Sequence, residues 1–326
     1  MRIGALFLVV AALGCVHVEV ATEPVSRLDG HAWPSERRLG IEYADRDGRP
    51  LCLDLWIPEC PGPHPVVVLF HGGGWKTGGR GIFDAYALAD ALSREGIAVA
   101  SASYRLVAQA TWPAQIEDAR RAIQFVRANA ARFGLDPARI AAMGASSGGH
   151  LAALLATQDD QAQPGSADPI ARESTRPDCV VAFSAPFDLQ PRDDEVATTL
   201  QITLVSEFLG VDKIQAVDEK LRLLRERGRD ASPLCQVRPG APPFLLIDGK
   251  VDTIVPPVQG ERMAAALRDA GVPCERMQVE TPWHCRFLLA DPRGWTSEPP
   301  PFWTAVRAFL RSRLRLDAEA KTPPLR

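Results

Sequence analysis

Met143-Gly144-Ala145-Ser146-Ser147-Gly148-Gly149-His150 joins an apolar run of strand character, Arg139 to Met143, to a run of strong helix formers, Leu151-Ala152-Ala153-Leu154-Leu155-Ala156. The chain must reverse sharply between the two. Glycines 144 and 148 stand two residues to either side of Ser146, where a side chain would run into neighbouring backbone. The pattern G-x-S-x-G in a strand-to-helix turn lifts a serine hydroxyl above the C-terminal edge of a parallel sheet and aims a helix N-terminus at it. By itself the pattern is weakly specific, so its context decides.

The segments around it supply that context. Leu39 to Ala44 and Leu51 to Ile57 alternate and are separated by Asp47-Gly48, which reads as a hairpin. After a proline-rich loop, Val66-Val67-Val68-Leu69-Phe70 is continuously apolar, as a strand buried on both faces must be. A helix near Phe83 to Arg94, a strand Ile97 to Ser103, a long helix Trp112 to Phe133, the strand 139 to 143 and the helix after Ser146 follow in turn. Strands at Cys179 to Ser184, Phe244 to Ile247 and Glu275 to Glu280 and helices near Pro257 to Ala270 and Phe302 to Leu314 continue the alternation. An antiparallel start followed by βα repeats predicts a mostly parallel sheet covered by helices on both sides. Residues 186–237 interrupt it with the acidic run Arg192-Asp193-Asp194-Glu195 and helical stretches near Thr199 to Leu209 and Glu219 to Glu226. An excursion of that length is no bare loop, and it predicts helical cap elements over the strand ends.

The 326 residues fit one α/β domain at 39–315, preceded by a polar lead-in at 22–38 and followed by a tail at 316–326. Hydrophobic residues make up 46% and charged residues 24%, enough for a large core, and a net charge of -3 without a basic cluster points away from nucleic acid. Residues 1–21 are expected to be an export leader: Arg2 precedes the apolar run Ile3 to Gly14, too short for a transmembrane span. Ala12-Leu13-Gly14-Cys15 also resembles a bacterial lipoprotein cleavage box, which would place a lipid anchor on Cys15, although its Leu lies two rather than three residues before the Cys. A periplasmic, secreted or lipid-anchored location is the corresponding expectation. The other six cysteines permit disulfides after export, but scattered buried thiols suit a core this large better, and none has metal-ligand spacing.

His71-Gly72-Gly73-Gly74-Trp75 follows the strand ending at Phe70. Its glycines free the backbone to turn inward, so the N–H groups of Gly73 and Gly74 can converge with that of Ser147 on an oxyanion formed when Ser146 attacks a carbonyl. A serine hydroxyl needs a base, and the base an orienting carboxylate, in the chain order Ser, acid, His. Of His17, His31, His64, His71, His150 and His284, only His284 lies beyond the serine turn. His71 and His150 read as structural. The loop after strand 244 to 247 offers Asp248, which ends the strand, and Asp252, which extends farther toward the site; Asp252 is favoured. Trp75 and Trp283 either narrow an acyl pocket or belong to the core. No metal or cofactor is called for.

Together with Tyr104-Arg105, Trp112-Pro113, Asp118-Ala119, Ser232-Pro233 and Val255-Pro256, these motifs make residues 39 to 315 resemble α/β-hydrolase esterases of the hormone-sensitive-lipase-like group, notably small bacterial carboxylesterases and feruloyl and acetyl-xylan esterases. The resemblance implies a serine carboxylesterase for small esters, with nucleophile, acid and base at Ser146, Asp252 and His284. Asp248 departs from it by replacing a His common at that strand end, and Ser147 by replacing the usual Ala. Tyr104-Arg105 could touch substrate or brace the sheet, and bracing is favoured. Related enzymes cleave aryl formamides, so an amide hydrolase is the nearest competitor, and a non-catalytic binding member of the fold is the competitor from a different class.

Overall fold

The structure, a computed structural model, describes residues 35–81, 83–191, 199–281, 284–285 and 301–316. The leader, Cys15, Trp283, the acidic run at 192–195 and residues 317–326 lie outside them. Eight strands form one sheet in the order β1-β2-β4-β3-β5-β6-β7-β8. They are β1 (Ser35–Asp45), β2 (Pro50–Pro58), β3 (His64–Phe70), β4 (Ala98–Ala102), β5 (Leu135–Ala145), β6 (Cys179–Phe183), β7 (Phe244–Gly249) and β8 (Cys274–Val279). The first hairpin is antiparallel, β2 joins β4 antiparallel, and every later pairing is parallel.

Alternation along each strand builds two cores. Val66, Val68 and Phe70 of β3 face one side, where they pack with α2 (Ala114–Ala128), α4 (Ser147–Thr157) and α7 (Val258–Asp269). Val67 and Leu69 face the other, against α1 (Phe83–Ser93) and α8 (Pro301–Arg313). Helices on both faces explain why the central strands read as unbroken apolar runs.

Some boundaries differ from expectation: the strand read at 139–143 is longer, as β5, and two further cases have a physical reason. Ser35 to Arg38, placed by composition in the lead-in, already belong to β1; they are polar because β1 is an edge strand with a largely solvent-facing start. The single helix expected over 112–133 is two, α2 and the short α3 (Ala130–Phe133), divided at Asn129, whose side chain bonds the Phe125 carbonyl at 2.9 Å. The chain then leaves through Gly134 at φ 66°, a left-handed exit of the kind glycine supplies.

The excursion carries α5 (Thr199–Phe208), α6 (Val217–Ala231) and a 3₁₀ turn, Pro233–Gln236. Ser232 fastens its far end: its hydroxyl donates to Gly228 O at 2.6 Å and accepts the Leu189 N–H at 2.8 Å. Cys60, Cys179 and Cys274 are unbridged thiols. No helix among the described residues is long and apolar enough to cross a membrane.

Candidate active site

Parallel pairing brings the C-terminal ends of β3, β5, β7 and β8 to one edge. Phe70 pairs with Gly144, and Asp248 with Gln278, so the loops that leave these strands share one rim. The turn after β5 is tight. A methyl group on Gly148 would overlap the carbonyl of Phe70, and one on Gly144 would overlap the backbone of Gly148. Ser146 adopts φ 53°, ψ -121°, a conformation costly for any residue with a side chain, and is held there by the bonds Ser146 N to Phe183 O (2.8 Å) and His150 N to Ser146 O (3.0 Å). The serine is half-buried, whereas Ser147 is buried at the first position of α4.

The three residues read from chain order meet here. The Ser146 hydroxyl lies 2.9 Å from His284 Nε2, and His284 Nδ1 lies 2.7 Å from Asp252 Oδ2. With Nδ1–H donating to the carboxylate, Nε2 is left as the acceptor that faces the serine. The Asp252 side chain is wholly buried. Burial pushes its carboxyl pKa up, but His284 and the N–H groups of Val255 and Ile254, at 3.0 and 2.9 Å, outweigh that and bring it below the ordinary aspartate value. It therefore stays ionised opposite the imidazole.

Gly73 and Gly74 have φ 122° and 60°. A methyl group on Gly73 would overlap the Thr77 carbonyl, because the N–H groups of Lys76 and Thr77 both return to Gly73 O at 3.1 Å. The glycine loop after β3 and the first turn of α4 after β5 share this rim, and the leading N–H groups of that turn have no partner within the helix. Gly72 closes the gap: a methyl there would lie 3.1 Å from Ala145 O.

The remaining histidines near the serine are occupied. His71 is buried, its Nδ1–H donates to Gly72 O at 2.8 Å, and burial pushes its pKa down to about 4. His150 is fully buried, its Nε2–H donates to Ala231 O at 2.7 Å, and its pKa is likewise pushed down to about 4. Asp248, the other acid candidate, turns away to a buried pair with Arg276 at 2.8 Å. Trp75 belongs to the core. It is 3% exposed, stacked on Phe208 with ring centres 4.2 Å apart and edge-on to His150, because the turn at Gly74 swings it under α5.

Tyr104, Arg105 and Asp118 were visible in the sequence only as motif residues, with bracing favoured for the first two. Tyr104 donates to His71 O at 2.9 Å and lies 3.3 Å from Ser147 Oγ, while Val107 N–H bonds Trp75 O at 2.9 Å. The segment after β4 thus holds both ends of the glycine loop. Asp118 anchors that segment, accepting from Arg105 at 2.7 Å and Arg46 at 2.9 Å. The pairing of Tyr104-Arg105 with Asp118 in the family motifs was the available clue.

A sheet of this order, with a serine raised behind β5 and a carboxylate–imidazole pair on the loops behind β7 and β8, is that of an α/β-hydrolase. The chain belongs to the BD-FAE family, whose model matches residues 53–267. It is 34% identical to Esterase LipC of Mycobacterium tuberculosis over 237 residues, covering 71% of this chain and 55% of LipC. The chain spans about half the length of the curated relatives it matches. Similar solved structures include a truncated carbohydrate esterase from gut microbiota, with a TM-score of 0.70 at 22% identity over 88% of this chain and 99% of that one. Another is an acetyl ester-xyloside bifunctional hydrolase from Caldicellulosiruptor lactoaceticus, with a TM-score of 0.68 at 24% identity over 87% and 98%. At those identities the two structures speak for the fold alone.

Proposed function

We propose that this protein is a serine carboxylesterase that hydrolyses short-chain carboxylic esters through an acyl-enzyme on Ser146. The observation that carries the reading is the continuous relay from Ser146 Oγ through His284 to Asp252, at 2.9 and 2.7 Å. Ser146 Oγ attacks the ester carbonyl carbon as its proton passes to His284 Nε2, and Asp252 stabilises the imidazolium. The negative charge on the former carbonyl oxygen is met by the N–H groups of Gly73, Gly74 and Ser147, each such donor worth about 3 kcal/mol in the transition state. Collapse expels the alkoxide, which takes the proton from His284. Water then enters with His284 as base, attacks the acyl carbon, and frees the acid and the serine.

The printed names of the curated relatives, esterases and a probable carboxylic ester hydrolase, support a carboxylic ester as substrate. The test is turnover of p-nitrophenyl acetate by the unsubstituted protein and by Ser146→Ala, alongside labelling by a fluorophosphonate. Turnover and labelling should both vanish in the variant. Activity retained by Ser146→Ala overturns the assignment, and formylkynurenine cleaved much faster than any ester would move it to an amide hydrolase. Export is proposed as well, on the apolar run Ile3 to Gly14 behind Arg2. Full-length protein found only in the cytosolic fraction of its host would overturn that.

A further inference from the structure

Helix α5 is fastened to both loops that frame the serine. At one end Gln201 Nε2 donates to Ile254 O at 2.5 Å, on the loop that carries Asp252. At the other, Phe208 stacks on Trp75, and Glu207 pairs with Lys76 at 2.8 Å. Positions 201, 204 and 208 fall on one face of a helix, so the residue between these two fastenings on that face is Leu204. It is half-buried, and it meets the glycine loop at one of the proposed oxyanion donors. A methyl group on Gly74 would lie 3.1 Å from Leu204 Cδ2 and 3.2 Å from Cδ1.

We infer that Leu204 is the residue that limits acyl length, its side chain closing the cleft to all but short acyl groups. This rests on the esterase reading. The tetrahedral carbon carries the serine oxygen, the oxyanion, the alkoxy group and the acyl chain. The departing alkoxide must receive its proton from His284 Nε2, so it lies toward the loop after β8. The oxyanion lies toward the glycine loop after β3, which is on the opposite side of β5 in the sheet order. A side chain packed on Gly74 is therefore remote from the alcohol, and an acyl chain lengthened on that side runs into the Leu204 methyls. The two fastenings of α5 keep Leu204 from retreating, and a wall that cannot move discriminates by length.

The test is kcat/KM along a p-nitrophenyl series from acetate to octanoate for the unsubstituted enzyme, Leu204→Ala and Leu204→Phe, with acetates of different alcohols measured in parallel. Leu204→Ala should raise the hexanoate-to-acetate ratio by roughly tenfold, the scale on which an apolar pocket discriminates by one or two methylenes, and Leu204→Phe should lower it. The Phe variant keeps an apolar side chain at the site, so its profile remains informative if the Ala variant folds poorly. Unchanged acyl profiles in the folded variants, or a shift confined to the alcohol series, overturn the assignment of Leu204 while leaving the esterase reading intact. No turnover of any ester by the unsubstituted enzyme removes both.

Discussion

The phenol of Tyr104 donates to the carbonyl oxygen of His71 at 2.9 Å, and the two rings stack with centres 4.1 Å apart and planes within 6°. This contact ties the segment after β4 to the first residue of the glycine loop. Burial pushes the Tyr104 pKa far up, so the hydroxyl keeps its proton and remains a donor. Tyr104→Phe should cost about 1 kcal/mol of stability and, by loosening the amides of Gly73 and Gly74, lower kcat about fivefold while KM changes little. Steady-state kinetics on p-nitrophenyl acetate decide it; an unaltered kcat would show that the loop holds its shape without this bond.

Asp118 has a fully buried carboxylate surrounded by the guanidinium groups of Arg105 and Arg46. Asp118→Asn removes the buried counter-charge from both cations and leaves Arg105 only the more exposed Glu117 at 3.1 Å, and a loss of about 3 kcal/mol in urea unfolding is expected. A loss under 1 kcal/mol would mean that solvent takes over the role.

The turn at Ser146 tolerates no side chain at position 148, where a Cβ would overlap the carbonyls of Phe70 and His71. Gly148→Ala should therefore destabilise by about 3 kcal/mol, at the upper end of ordinary overpacking, and abolish turnover, because β3 and β5 must separate to admit the methyl group. Near-normal activity in this variant would contradict the close approach.

Arg276 pairs with Asp248, which is 3% exposed. Burial lifts the Asp248 pKa, Arg276 pulls it back, and Asp252 adds to the lift, leaving it above the ordinary aspartate value. A carboxyl whose folded pKa is raised binds its proton more tightly when folded, so its contribution to stability falls as pH rises from the unfolded value, about 4, through the folded one. Arg276→Leu removes the compensating charge and raises that pKa further. The variant should be about 3 kcal/mol less stable than the parent at pH 8, and the gap should narrow as pH falls toward the unfolded value and protonation of Asp248 removes the charge that Arg276 offsets. Denaturant midpoints at the two pH values check this, and a gap independent of pH would point to lost packing instead.

Local chemistry made much of this protein legible before any coordinates. Apolar runs without alternation announce strands covered on both faces, and the order of elements led to the parallel sheet. Ser146, Asp252 and His284 could be named because chain order restricts the choice: a single histidine follows the serine turn, and one of two aspartates lies beyond its strand end. Less was visible where a residue's meaning depends on what packs against it. Trp75 could have faced substrate or core, and only Phe208, 133 positions later in the chain, decides for the core. The start of β1 was hidden because an edge strand needs no apolar pattern.

The sequence by itself determined which groups can do chemistry here and on which strand ends they stand, since glycine placement, hydrophobic period and residue order are local properties. Only the tertiary structure decided how far apart those groups lie, that Tyr104 and Asp118 brace the loop beside them, and that α5 lays Leu204 against Gly74. Such contacts join segments separated by tens to more than a hundred residues, and no local pattern encodes the distance between two side chains that meet only when the sheet has closed beneath them.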